Sequence, residues 1–177
     1  MPRHSRSSGI LLDNLTTRRP DMNQESISSE LTQKAFSFFF WFSRFEAALK
    51  EQGFLKSEQI GAIAEPNWAY FVRVYSTDYI LTTSGTKLLK LAPQRQMVGE
   101  GKTLTWQPVS LANDGTDLAK VVRMLKTLRN NVFHGGKSFA AGWDQPARTN
   151  ELLDAGTEEL HALAKLASME PDLWRRY

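Results

Sequence analysis

Three residues near the end of one helical pattern could carry chemistry together. They are Arg129, Asn130 and His134, in the stretch Leu-Arg-Asn-Asn-Val-Phe-His-Gly-Gly-Lys at Leu128–Lys137. Histidine titrates near neutrality and can take or give a proton. Arginine stays charged and grips a phosphate with two parallel N–H donors. Asparagine can orient a hydroxyl or phosphoryl oxygen without adding charge. Such a set suits cleavage of RNA by its own 2′-hydroxyl. That reaction needs a base near O2′, an acid near the 5′-oxygen and a cation on the phosphate, but no metal. Other chemistries lack their residues. The absence of cysteine rules out a disulfide, a thiolate-zinc site and a thiol nucleophile. The chain has no HExxH pattern, no paired histidines at ligand spacing, no P-loop or Rossmann glycine pattern and no GxSxG elbow. No metal and no cofactor is therefore expected. His4 lies near the start of the chain and His161 within a later helical pattern, so His134 is the histidine with chemical neighbours.

The element that must position these groups is the helix leading into them. Asp114, Thr116 and Asp117 are N-cap candidates, and Gly135-Gly136 is a stop. At about 3.6 residues per turn, Leu118, Val121, Val122, Leu125, Leu128, Val132 and Phe133 share one broad apolar face. Arg123, Thr127, Asn130 and His134 share a separate polar face, with Asn130 and His134 one turn apart. Arg129 is the misfit, since it projects into the apolar stripe, within roughly 20° of Leu118. A guanidinium there is costly unless it is paired or reaches a wet cleft. It is either a structural arginine held by an acid or by carbonyls, or a functional one. Glu46 and main-chain carbonyls are candidate partners.

Arg129-Asn130-Asn131-Val132-Phe133-His134 fits the RxxxxH motif of the HEPN superfamily of α-helical domains. In its ribonuclease members the residue after the arginine is typically Asn, Asp or His, and here it is Asn130. The wider stretch resembles bacterial HEPN proteins of the toxin or phage-defence kind. The aromatic segment Phe36–Phe54 and the segment Pro66–Tyr75 also resemble that set, so the likeness runs from about Leu31 to Met169.

The resemblance implies an all-α, antiparallel helical bundle and a cytoplasmic, metal-independent endoribonuclease. It also implies a composite site made where the motif helices of two protomers meet, and an antitoxin protein as a further partner. A homodimer answers a chemical difficulty too. One histidine serves poorly as acid and base at the same instant, whereas a two-fold axis brings two into one cleft. Arg123 and Lys137 are the expected contacts to the rest of the RNA. Two alternatives belong to other classes. One is a non-catalytic HEPN-like module that binds a nucleotide or RNA, and the other is a structural dimer in which Arg129 is an ion-pair strut.

The rest of the chain fits an ordinary globular frame. Its 177 residues are 41% hydrophobic and 23% charged, which suits one domain with a sizeable core. A net charge of +3 permits a nucleic-acid partner without demanding one. Residues 1–23 are polar and basic, with Arg3, Arg6, Arg18 and Arg19. Ile10-Leu11-Leu12 is too short for a signal or membrane segment, and no membrane partner is expected. This stretch reads as an unstructured tail, as a basic arm touching RNA or a partner, or as an extension upstream of a start at Met22.

One domain is expected over 24–170, and a C-terminal tail over 171–177. Ser26, Ser28 and Ser29 are cap candidates before an aromatic helix through Ala35–Leu49 that ends near Gly53. Its aromatic residues are expected to lie between helices or across a subunit interface rather than to stack on bases. Pro66 opens a short helix through Tyr75, with Trp68, Phe71, Val72 and Tyr75 on one stripe. Asp78–Leu91 reads as a helix weakened by Thr82-Thr83-Ser84-Gly85. A loop follows, and Gln96–Val98 can pair with Leu104–Val109 as a small hairpin before the motif helix. Lys90, Arg95 and Lys102 around it read as a solvated surface in preference to a groove contact. Asn150 or Thr149 caps a last helix, Glu151–Met169.

Overall fold

Apolar residues recurring every third or fourth position make Ser29–Glu51 a helix, α1, in the computed structural model, which describes residues 29–133 and 146–174. Leu31, Phe38, Phe42, Phe45, Ala48 and Leu49 form its buried side. Its aromatic ring is not closed, however. Phe36 and Phe40 face solvent, at 67% and 42% exposure. Gly53 takes φ 80°, a left-handed conformation that ends α1, and the Phe54 amide bonds the Leu49 carbonyl at 2.8 Å. The cap candidates Ser26 and Ser28 lie outside the described residues.

Helix α2, Trp68–Tyr75, is capped by Asn67, whose side chain accepts from the Tyr70 amide at 3.0 Å. Trp68 and Phe71 are buried, with Val72 and Tyr75 packed beside them. The helix expected from Asp78 starts later, as α3, Thr83–Leu91. Thr82 is its N-cap and accepts from the Gly85 amide at 2.8 Å. Short hydroxyl residues that weaken a helix interior are the preferred residues at its start. At the other end Ala92 is left-handed, and Arg148 donates to the carbonyls of Leu91 and Ala92. A cation on the last carbonyls of α3 closes that end.

Strands β1, Arg95–Val98, and β2, Leu104–Gln107, pair antiparallel, with Arg95 opposite Gln107 and Val98 opposite Leu104. The 3-10 turn Glu100–Lys102 joins them. Helix α4, Asp117–Phe133, follows, and Thr116 Oγ1 accepts from the Ala119 amide at 3.2 Å near its start.

Helix α5, Pro146–Leu166, begins earlier than the expected Glu151. Pro146 occupies its first position, where a missing N–H costs nothing. Thr149 is therefore inside the helix, and buried, rather than its cap. Residues 171–174, expected to belong to a tail, fall in a last short helix, α6, Glu170–Trp174. Leu173 is buried, and Arg44 of α1 donates to the carbonyls of Asp172 and Leu173 at 2.5 and 3.1 Å.

Among the described residues the architecture is six α-helices and one two-stranded sheet around a single core. Helices α1, α4 and α5 make its centre. Gly156 of α5 lies where a Cβ would stand 2.7 Å from the Phe38 ring and 2.9 Å from Leu128 Cδ2, so the three helices meet there with no room for a methyl group. Helix α3 packs across α5 and α4, and α2 packs on α4. Among the described residues, one flank of α4 stays uncovered between α2 and the hairpin.

A buried carboxylate locks α3 to α5. Glu159 is fully buried and accepts from Tyr79 Oη at 2.7 Å, from Ser84 Oγ at 2.6 Å and from Thr82 Oγ1. Three hydroxyl donors compensate the lost water around the charge. Burial, and then the bond to Glu159, raise the Tyr79 phenol above its usual range.

Candidate active site

Helix α4 distributes its last two turns among three environments. Its buried residues are Leu118, Val121, Val122, Met124, Leu125, Leu128 and Asn131. The expected stripe omits Met124 and Asn131, and it includes Phe133, which is 54% exposed. Adding the first two and removing the third turns the centre of the buried arc by roughly half a residue step, towards Val121 and Leu128. Arg129 then falls at the margin of that arc and not in its middle.

The environment of Arg129 follows. It is half-buried instead of projecting into the middle of the core, and rings stand in place of the candidate carboxylate or carbonyls. Its guanidinium carbon lies 5.1 Å from the Phe133 ring centre and 5.9 Å from that of Phe42. Phe133 in turn stacks on Phe39 of α1 at 5.3 Å. A planar, weakly hydrated cation suits such faces, which an ammonium matches less well. Nη1 also donates to Asn130 Oδ1 at 3.1 Å. Glu46, a candidate partner, accepts from Trp68 Nε1 at 3.0 Å instead.

The two adjacent asparagines part company. Asn131 is 6% exposed, and its Nδ2 donates to the Gln94 carbonyl at 2.7 Å, tying α4 to the approach to β1. Asn130 is exposed and lies at the junction of two cavities. Its Oδ1 accepts from Arg129 Nη1, which leaves its Nδ2 protons for another acceptor. His134 and Lys137 lie outside the described residues.

Arg123, two turns earlier on the polar flank, forms a two-pronged pair with Asp114. Nε and Nη2 lie 2.5 and 2.6 Å from the two carboxylate oxygens. The Asp114 side chain is only 8% exposed, and its bond raises the pKa of Arg123 further. Arg123 still lines both cavities, and Asp114 engages only part of its five-donor fork. Sequence reasoning does not single out Lys126 here, and it reads Asp114 as a cap candidate instead of the Arg123 partner and Arg95 as a solvated surface cation instead of a wall of the site. Lys126 sits on the same flank of α4 and is readable from its spacing. Arg95 and Asp114 reach the site through chain folding, and no local pattern marks them.

Among the described residues no group of three or more His, Asp or Glu side chains could hold a metal ion. No helix among them is long and apolar enough to cross a membrane. No protein-family model, no curated protein and no solved structure matches this chain.

Proposed function

We propose that the chain is a metal-independent endoribonuclease of the HEPN type, cytoplasmic and homodimeric, of the toxin or phage-defence kind and with an antitoxin among its partners. One observation carries most weight. Arg129 and Asn130 are hydrogen-bonded to each other near the end of α4, beside a cation-bearing groove, and His134 follows Asn130 by four positions in the sequence. In the proposed reaction O2′ attacks the adjacent phosphorus, the O2′–P bond forms and the P–O5′ bond breaks. One histidine takes the O2′ proton, and a second, from the partner protomer, supplies one to O5′. Arg129 offsets the charge that grows on the phosphoryl oxygens, and Asn130 orients one of them. The products are a 2′,3′-cyclic phosphate and a 5′-hydroxyl.

The dimer is supported by the aromatic surface next to Arg129. Phe36, Phe40 and Phe133 are each more than two-fifths exposed, and Phe133 stacks on Phe39 of α1, one helical turn from Phe36. Exposed apolar patches mark interaction surfaces.

The test is cleavage of a short RNA in excess EDTA, beside the same oligonucleotide with 2′-O-methyl groups. Full cleavage of the first with a cyclic-phosphate end, and none of the second, is the expected result. Cleavage abolished by EDTA, or surviving methylation, sinks the mechanism.

A second reading has its own observation. The Arg129 guanidinium spends its faces and one donor on protein groups, as in a binding or dimerisation module without catalysis. An intact RNA substrate with a dimeric, folded protein would favour that reading.

A further inference from the structure

The uncovered flank of α4 is built as a two-lobed groove. The lobe towards α2 has a volume of about 400 Å³ and that towards the hairpin about 390 Å³. Each falls in the range of roughly 300–1,000 Å³ typical of small-ligand pockets. Arg123, Thr127 and Asn130 line both, so the lobes are continuous past the motif. The first has an apolar floor of Ala69, Val72, Ala119 and Val122, with Lys126 as its cation. The second is walled by Gln96, Asn131 and the apolar Val109, with Arg95 as its cation.

We infer that this groove is a single-stranded RNA tract leading to the motif, in which Lys126 and Arg95 hold backbone phosphates in separate lobes on either side of Asn130. The choice of RNA rests on the reading proposed above; the groove and its charges do not. A nucleobase has an apolar face that fits the floor near Val72, while its phosphate needs a cation at the rim. An alternation of floor and cation is the arrangement by which proteins track single strands. Among the described residues Asp114 is the one carboxylate lining the groove, and its two oxygens are turned to Arg123. That pairing leaves Lys126 and Arg95 with no offsetting carboxylate among the described residues that line the lobes. A strand through both lobes must pass Asn130, whose Nδ2 can donate to it. The hairpin insert thus has a role beyond linking α3 to α4, because it brings Arg95 to the wall.

The experiment is fluorescence anisotropy of the full chain with a labelled, 2′-O-methylated single strand of about ten nucleotides, between roughly 50 and 200 mM salt. Lys126→Gln and Arg95→Gln are each expected to weaken binding about threefold to tenfold. Each should also lower the slope of log K on log salt by about 0.7. Lys165→Gln, on the exposed side of α5, removes the same charge outside the groove and should change neither. Unchanged slopes in both groove variants, an equal loss in Lys165→Gln, or no binding by the wild type at the lowest salt overturns the inference. Cleavage of unmethylated RNA is followed in parallel. Groove-dependent binding of RNA that stays intact upholds the tract and removes the ribonuclease. Cleavage with binding indifferent to Lys126 and Arg95 does the reverse.

Discussion

Two neighbouring asparagines show how far one residue step decides a role. Asn131 satisfies a carbonyl from within the packed side of α4, and Asn130 faces the groove. Asn131→Ala should therefore cost about 1–3 kcal/mol in denaturant unfolding, the usual loss when a buried partner is left unsatisfied. Asn130→Ala should leave stability within about 0.5 kcal/mol and lower RNA cleavage by on the order of 10²-fold. Equal effects of the two variants on activity would mean that Asn130 acts only through the fold. Arg129→Lys joins this test. An ammonium does not reproduce the planar face between Phe133 and Phe42 or the fork on a phosphate, so cleavage should fall while the fold persists. His134→Ala should lower it by on the order of 10²-fold or more, the scale of a general acid–base group.

Elements are joined here by polar clamps as well as by apolar packing. The strongest ties α3 to α5 through Glu159 and its three hydroxyl donors. Glu159→Ala strands those donors next to the core and should cost about 3 kcal/mol or more in unfolding free energy. The same clamp has a pH signature. The Tyr79 phenol is raised by burial and by Glu159, so the folded state holds its proton more tightly than the unfolded chain does. Its contribution is fully present below the unfolded value of about 10 and is lost as pH rises through the folded value. Unfolding midpoints should therefore drop above about pH 10, and Tyr79→Phe should reduce that drop. A midpoint as alkali-sensitive in Tyr79→Phe as in the wild type would remove the assignment. The clamp bears on the site, because α3 also packs on α4.

At the scale of the whole molecule, two flanks of α4 have different fates. One is the groove, and the other carries Arg129 and Phe133, which stacks on Phe39 of α1, one helical turn from the exposed Phe36. A second copy on the aromatic flank would leave the groove open to RNA. Light scattering over a concentration series is expected to give a dimer. Phe36→Glu, at a position already 67% exposed, should shift it towards monomer without unfolding it and should reduce cleavage in parallel. A wild-type monomer at every concentration that still cleaves RNA would remove the composite site.

Short-range physics writes several of these features directly into the chain. The 3.6-residue period marks α1, α2 and α4, because burial of one stripe needs only that spacing. Caps and stops are decided by residues within a turn of the helix end, which is why Gly53 ends α1 where expected. Thr82-Thr83-Ser84-Gly85 holds the right residues for a cap, and only the position of α3 shows that they begin the helix instead of weakening it. Alternation suffices for the hairpin, with Val98 opposite Leu104. Arg129 is conspicuous because a charge on an apolar face is costly. Its partners are not legible, since rings from α1 and α4 meet it only after the helices pack. The same limit applies to Arg123 with Asp114, to Asn131 with Gln94, and to Glu159 with Tyr79 and Ser84. Contacts between residues far apart in the chain, or off the helical spacing, have no local pattern to announce them. The tertiary structure alone brings Arg95 from β1 to the flank of α4, and with it the groove.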